Sequence, residues 1–368
     1  MMNSELHSPL IHSSEEITLP FLRELRIDGI VLANFPDGTE ILSAHPFGTS
    51  AWTVTSRIHL KLPSGEESHF FLKSGTGSHG RTLMEGEFNA MSEIYKWAPD
   101  LVPKPHSFGK LVGKEPEAYF FLSECIDMVE RLPDPKQLGA KLAALHRESR
   151  SPNGQFGFHT TTCQGRIPQH VSWEQSWEDF FKKLLLHVID LDFENNGHWE
   201  ELDILEKRLL SHVIPRLLSI LEANGQAIEP SLIHGDLWEG NIGMSPQNGN
   251  IYIFDAAAFY AHNEMETGNW RCHYNKIHDP AYTKAYLQHY EPSEPKDEWE
   301  DRNRLYSIYY NIIYSVNHLA EGKAVRQVAY NDIHYLVDKF APFTRDQGPA
   351  RLDTSQMATL SAERDHTV

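Results

Sequence analysis

Apolar residues at Trp52, Val54, Ile58, Leu60 and Leu62 occupy every second position, interrupted only at Ser56. A period of two turns one face of an extended segment toward a core, so a half-buried strand is expected here. Pro63-Ser64-Gly65 supplies a turn, and His69-Phe70-Phe71-Leu72-Lys73 reads as the returning strand of a hairpin. The period then changes. Met84, Phe88, Met91 and Tyr95 recur at the spacing of one helix face, and Pro99, Pro103 and Pro105 end that helix ahead of an apolar strand, Tyr119-Phe120-Phe121-Leu122. Past Glu124-Cys125-Ile126 the helical period dominates. Leu138, Leu142 and Leu145 form a stripe ending at His146; Trp177, Phe180, Phe181, Leu184 and Leu185 form a second; Ile204 through Leu221 form a third. Leu232-Ile233 and Ile251 to Phe254 read as short strands, and further helices are expected near Leu305 to Leu319 and Tyr330 to Phe340.

Strands first and helices afterwards predict an α+β chain of two lobes. The expected divisions are a loose tail over 1–17, a small β-rich lobe over 18–124, a larger mainly helical lobe over 125–345, and a polar, disordered tail over 346–368. Charge narrows the partners. Thirty-three Lys and Arg against 51 Asp and Glu leave a net charge of −18, which argues against nucleic acid or an anionic membrane surface and favours cationic substrates at long range. No apolar run approaches the roughly 20 residues that cross a bilayer. Met1 to Glu16 is polar and lacks the apolar stretch of a secretory signal, and Cys125, Cys163 and Cys272 form no C-x-x-C pair. A reducing, cytoplasmic setting is expected.

The candidate chemistry lies between the two short strands. In His234-Gly235-Asp236-Leu237-Trp238-Glu239-Gly240-Asn241 the Asp and Asn are five residues apart, and the strand Ile251 to Phe254 ends on Asp255. This is the order H-x-D-x-x-x-x-N, then Asp, used in phosphoryl transfer from a nucleotide such as ATP. Asp236 would accept the proton of an attacking hydroxyl, while Asn241 and Asp255 would hold Mg²⁺ against the phosphates. Lys73 ends an apolar strand and Glu87 follows fourteen residues later on the next helix. A strand lysine on the α- and β-phosphates, held by a helix glutamate, completes the set. Glu85 is the competing choice; Glu87 is favoured because Phe88 and Met91 place it nearer the inward face. The phosphate-covering loop is expected ahead of the first strand pair, over Ala44 to Ala51, where Gly48, Thr49 and Ser50 offer backbone and hydroxyl donors. Glu124, Cys125 and Ile126 would form an interlobe hinge, with Glu124 and Ile126 presenting backbone groups to adenine.

On these residues the chain resembles the fructosamine/ketosamine kinase family, within the aminoglycoside phosphotransferase-like superfamily. Residues 232–241 resemble its H-G-D-L-W-x-G-N loop, and Phe254 to Glu266 resembles its F-D-P/A-x-x-F/Y-Y-x-H/D-x-E-x-E segment. Met84-Glu85-Gly86-Glu87, Val102-Pro103-Lys104-Pro105, Gly139 to His146 and Phe156-Gly157-Phe158 resemble further family motifs, so that the likeness covers about residues 40–340. The resemblance implies a protein-kinase-like fold and an ATP- and Mg²⁺-dependent kinase acting on the 3-hydroxyl of ketosamines, the sugar adducts of lysine on proteins or in free form, as a step of deglycation. It implies Asp236 as base, Asn241 and Asp255 as Mg²⁺ ligands and Lys73 with Glu87 on the nucleotide. On the acceptor side it implies Trp238, His234, Glu264 and Glu266. Three departures bear on the acceptor. Gly165 to His170 is a loose version of G-x-T-P-Q-x-N, Ala256 follows the metal aspartate in place of the common proline, and the phosphate loop is poor in glycine. A kinase of aminoglycosides or another small alcohol, and a pseudokinase-like binding module, stand as the alternatives.

Overall fold

The computed structural model describes residues 27–48, 52–129, 131–223, 227–320 and 322–343. The two expected tails, over 1–17 and 346–368, and the loop residues Thr49 and Ser50 lie outside these residues. Helix α1 (Ile27–Leu32) leads into β1 (Glu40–Pro46), β2 (Val54–Lys61) and β3 (Glu67–Thr76). Helix α2 (Gly77–Trp97), β4 (Pro105–Leu111) and β5 (Ala118–Glu124) complete the first lobe. The strands form one five-stranded antiparallel sheet in the order β1-β2-β3-β5-β4.

The alternation along β2 is real, but its inward set differs from the apolar set. Ser56 is buried beside Ile58 and Leu60, whereas Val54 and Trp52 are 51% and 39% exposed. The serine does not interrupt the pattern; it fills an inward position where β2 lies between Pro46 of β1 and Leu72 of β3. The sheet core gathers Ile58, Leu60, Leu72, Phe120 and Leu122 against Val31 of α1. β1 and β4 are the two edges of the sheet. Edge strands carry polar residues, proline and bulges. Each of these two has a register irregularity, and β4 opens on Pro105, so neither shows a clean period in the sequence. Helix α2 buries Leu83, Met84, Ala90, Met91 and Ile94, while Phe88 and Tyr95 are only half-buried.

The second lobe is built on α3 (Pro135–Glu148), α4 (Trp177–Asn196), α5 (Glu200–Arg208) and α6 (Ile214–Leu218). Asp134 and Ser176 cap α3 and α4 by accepting from the amides of Gln137 and Asp179 at 2.9 and 3.4 Å. The stretch Ile204 to Leu221, expected as one helix, is interrupted by a π-helical turn over Leu209–Val213. Pro215 has no amide to give the preceding turn, and a wider turn there removes the demand for one. Between the helices lie three short antiparallel pairs. They are β6 (Cys163–Gln164) with β7 (Ile167–Pro168), β8 (Ser231–Ile233) with β11 (Phe259–Ala261), and β9 (Ile242–Met244) with β10 (Ile251–Ile253). Helices α7 (Glu264–Trp270), α8 (Pro280–Leu287), α9 (Trp299–Asn317) and α10 (Gly322–Phe340) follow. Every residue of α7 is buried, so it has no polar stripe from which a period could be read. Both lobes belong to one compact unit. Among the described residues no helix is long and apolar enough to cross a membrane.

Candidate active site

The β8–β11 and β9–β10 pairs bracket the loop that runs from His234 to Asn241, and β10 delivers Asp255 next to it. Phe254 donates its amide to the Asn241 carbonyl at 3.1 Å and Ala257 donates to that of His234 at 3.0 Å, so the loop and the strand exit are tied at both ends. Asp255 has φ 57°, a left-handed conformation that non-glycine residues seldom take and that aspartate tolerates better than most. There its carboxylate meets Lys73, which β3 carries from the first lobe.

Lys73 Nζ lies 2.8 Å from Glu87 Oε2 and 3.1 Å from Asp255 Oδ1. Burial alone would lower the Lys73 pKa, but the charges of Asp255 and Glu87 outweigh it and hold the ammonium above its ordinary value. Burial raises Glu87 against the pull of Lys73, while Lys73 keeps Asp255 below the usual carboxylate range despite burial. Glu87 therefore faces the cleft. Glu85 turns to Arg81, 3.2 Å away on the surface of α2. Helix α2 is seated by Gly86, where a Cβ would come within 2.5 Å of the Thr161 carbonyl; only glycine lets Glu87 approach Lys73 on that path.

Asp236 is half-buried and accepts from Gln164 Nε2 at 3.0 Å. Asn241 Nδ2 donates to the Asp236 carbonyl at 2.9 Å and stands 3.4 Å from Oδ2. Burial pushes the Asp236 carboxyl up to about 7; the Gln164 bond works the other way, and the charges of Asp255 and Glu266 add to the rise. A group poised there takes up and releases a proton near neutrality.

Three residues expected on the acceptor side are instead internal braces. His234 is fully buried, and burial lowers its pKa, leaving a neutral ring. Its Nε2 lies 2.9 Å from the Phe254 carbonyl and its Nδ1 accepts the Asp236 amide at 3.3 Å, which fixes the proton on Nε2. Glu266, also fully buried, accepts the amides of His234 and Gly235 at 2.5 and 3.2 Å. Glu264 binds Arg302 through two nitrogens at 2.7 and 2.9 Å and takes the Ser293 amide at 2.8 Å. Their acidic, polar character marked a site, but burial turns it inward: buried charges are paired and buried amides satisfied. Trp270 Nε1 and Asn269 Nδ2 of α7 also hold the Leu237 carbonyl, at 3.1 and 3.3 Å.

Trp238 is 38% exposed. Its indole lies against Gly240, where a Cβ would meet the ring at 2.3 Å. Gly48, at φ 74°, belongs to the connection between β1 and β2. The loop expected ahead of the first strand pair thus lies within it, because Glu40–Pro46 is itself a strand. At the far end of β5, Glu124 donates its amide to Lys104 and Cys125 donates to His69, at 2.8 and 3.1 Å, and Ile126 follows where the chain passes between lobes. The Glu124 carbonyl also takes the Ser123 hydroxyl at 3.3 Å. Sequence reasoning missed Gln164. It precedes the loose glycine motif, and the only signal was that motif's place near the acceptor side.

With this geometry in view, residues 39–338 match the family described as fructosamine kinase. The chain belongs to the fructosamine kinase family. Among curated relatives, the chloroplastic protein-ribulosamine 3-kinase of Oryza sativa subsp. japonica is 30% identical over 250 residues, covering 67% of this chain and 66% of that protein. The ketosamine-3-kinase of Mus musculus is 28% identical over 284 residues, covering 70% and 85%. The chain thus spans just under two thirds of the length of the rice relative. Among solved structures, a Haemophilus somnus 129PT protein assigned as a fructosamine-3-kinase superposes with a TM-score of 0.68 at 17% identity, covering 84% of this chain and 96% of that one. An aminoglycoside phosphotransferase, APH(4)-Ia, solved with AMP-PNP and hygromycin B, superposes with a TM-score of 0.54 at 13% identity, covering 84% and 96%. These likenesses establish the two-lobed, kinase-like α+β fold.

Proposed function

We propose that this chain transfers the γ-phosphoryl group of ATP to the 3-hydroxyl of a ketosamine, a ribulosyl or fructosyl adduct of lysine on a protein or in free form. The observation that carries the reading is the meeting of Lys73, Glu87 and Asp255 beside the loop in which Asn241 is bonded to Asp236 and to the strand end at Phe254. In this reading the acceptor oxygen attacks the γ-phosphorus, Asp236 receives its proton, the bond to the β-phosphate oxygen breaks, and ADP leaves. Lys73, steadied by Glu87, meets the α- and β-phosphates. Gly48 lies on the connection that would cover them, and the backbone of Glu124 and Ile126 would receive adenine.

The donor set fits Mg²⁺. Asn241 spends its NH₂ group on Asp236, which leaves its carbonyl oxygen for a cation beside the Asp255 carboxylate. Mg²⁺ takes one or two protein oxygens and completes its shell with phosphates and water, and Asn241 and Asp255 would supply those oxygens. When bound, Mg²⁺ would neutralise charge developing on the phosphate oxygens.

Ketosamines are favoured as acceptors by family membership, by the names of the rice and mouse relatives, and by Trp238, whose part-exposed ring can cover the apolar face of a sugar. The net charge of −18 attracts the cationic amine. Three free cysteines suit the reducing, cytoplasmic setting that belongs to this reading. The test is ATP consumption with Mg²⁺ over ribulosyl-lysine, fructosyl-lysine, free lysine and aminoglycosides. Ketosamines should be turned over and free lysine should not; turnover of aminoglycosides with none of ribulosyl-lysine would overturn the acceptor assignment. Asp236→Asn should slow turnover by about 10²- to 10⁴-fold. A variant near wild-type rate would remove Asp236 from the role of base.

A further inference from the structure

Gln164 sits on a hairpin whose shape does not depend on its side chain. The β6–β7 turn is made by Gly165, at φ 57°, and Arg166. Asn317 of α9 clamps that turn, accepting the Arg166 amide at 3.2 Å and donating to the Gln164 carbonyl at 3.1 Å. Arg166 adds a bond to the Val316 carbonyl at 3.0 Å and lies over the Trp52 ring. Beyond β7, Gln169 donates to Thr162 Oγ1 and the Ala257 carbonyl at 3.0 and 2.9 Å and accepts from Tyr309 at 2.7 Å. The backbone at Gln164 is thus fixed on both sides.

The Gln164 side chain is 7% exposed, and its two ends fare differently. Nε2 donates to Asp236 Oδ1 at 3.0 Å, whereas Oε1 has no hydrogen-bond partner. Reversing the amide would set its carbonyl against a carboxylate, so the donor end faces Asp236. A buried amide serving as packing has both ends satisfied; one with an orphaned carbonyl lowers stability, and an apolar side chain of equal length would remove that cost. What the amide contributes is the bond to Asp236. That bond occupies Oδ1 and fixes the carboxylate plane. Oδ2 takes only the longer, 3.4 Å bond from Asn241 and keeps a lone pair for the acceptor's proton.

We infer that Gln164 is a positioning residue for the phosphoryl-transfer base, acting through Asp236 rather than on ATP or the hairpin fold. The inference rests on the kinase reading above. Its test uses the full chain and compares Gln164→Leu and Gln164→Met with wild type in thermal melts and in steady-state kinetics with Mg-ATP and ribulosyl-lysine. Both variants should stay folded, since removing the orphaned carbonyl offsets part of the lost bond to Asp236, and keep KM for ATP within about twofold, while kcat falls about 10- to 100-fold, the usual consequence of a misplaced reacting group. Gln164→Glu, equal in shape but with no donor when ionised, should lose at least as much. In an Asp236→Asn background, Gln164→Leu should cause no further loss, since residues acting as a unit are not additive. Unchanged kcat in the Leu and Met variants, a lowered melting temperature that tracks the lost rate, or a full additional loss in the Asp236→Asn background would overturn the inference. Failure of wild type on every ketosamine would instead sink the acceptor reading; the same comparison then runs on whichever alcohol is phosphorylated, because the base is the same.

Discussion

Glu266→Gln separates a brace from an acceptor contact. The wild-type carboxylate takes two backbone amides, His234 at 2.5 Å and Gly235 at 3.2 Å, from a fully buried position. Glutamine keeps one acceptor oxygen and turns an NH₂ group toward the other amide. One charge-assisted hydrogen bond is lost, at about 1.5–3 kcal/mol, and one buried N–H is stranded, at about 1–3 kcal/mol, while relief of the buried charge offsets part of the sum. A net loss of about 2–4 kcal/mol is expected, a large fraction of a typical stability of about 5–15 kcal/mol. In a chain of this size that lowers the melting temperature by roughly 3–5 °C. The loop that carries Asp236 would also loosen, so kcat should fall by about 10- to 100-fold. Thermal and urea unfolding, with kcat and both KM values, read the two effects together. A variant within about 0.5 kcal/mol of wild type by the usual noise of surface changes, with only KM for the acceptor raised, would refute the brace and restore Glu266 to the substrate side.

Other outcomes follow from the same geometry. Lys73→Met should raise KM for ATP and depress kcat, Glu87→Ala should do so more mildly, and Glu85→Ala, which loses only a surface pair with Arg81, should do little; a larger defect at Glu85 would place the wrong glutamate in the cleft. Gly240→Ala forces the Trp238 ring from its seat, so acceptor KM should rise more than ATP KM, as in Trp238→Ala; equal effects on both would detach Trp238 from the acceptor. Glu206, buried with an unpartnered Oε1, is pushed up from 4.5 to about 8 by burial and by Asp192. It binds more protons folded than unfolded between those values, so it erodes stability as pH climbs through that window, by up to about 1.4 kcal/mol per pH unit. Glu206→Gln should therefore gain melting temperature relative to wild type, more at pH 8.5 than at pH 5.5; a pH-independent difference would contradict that account.

The sequence carried the fold where a period was present. β2, α2 and α4 each bury one face, and the spacing disclosed them; β3, buried on both faces past Leu72, showed as a continuous apolar run. It was silent at β1 and β4, the sheet edges, and at α7, where complete burial erases any polar face. The meeting of Lys73 with Glu87 and Asp255 was legible because a strand-end lysine, a helix glutamate and a strand-end aspartate could each be placed from their elements. Which acids face the cleft was not. Glu264 and Glu266 look as available in sequence as Glu87, and only the positions of Arg302 and of the His234 and Gly235 amides reveal that they point inward. Gln164 could not be found by spacing, since it reaches Asp236 from 72 residues away.

The loop bearing Asp236 is gripped from behind. Glu266, Asn269 and Trp270 hold it through main-chain atoms of His234, Gly235 and Leu237, and all three come from one submerged helix. Main-chain grips ask nothing of the side chains on the opposite face. Trp238 can therefore be exchanged in descendants of this chain while Asp236, still held by Gln164, keeps its pose. Small changes on that outer face leave the placement of Asp236 intact.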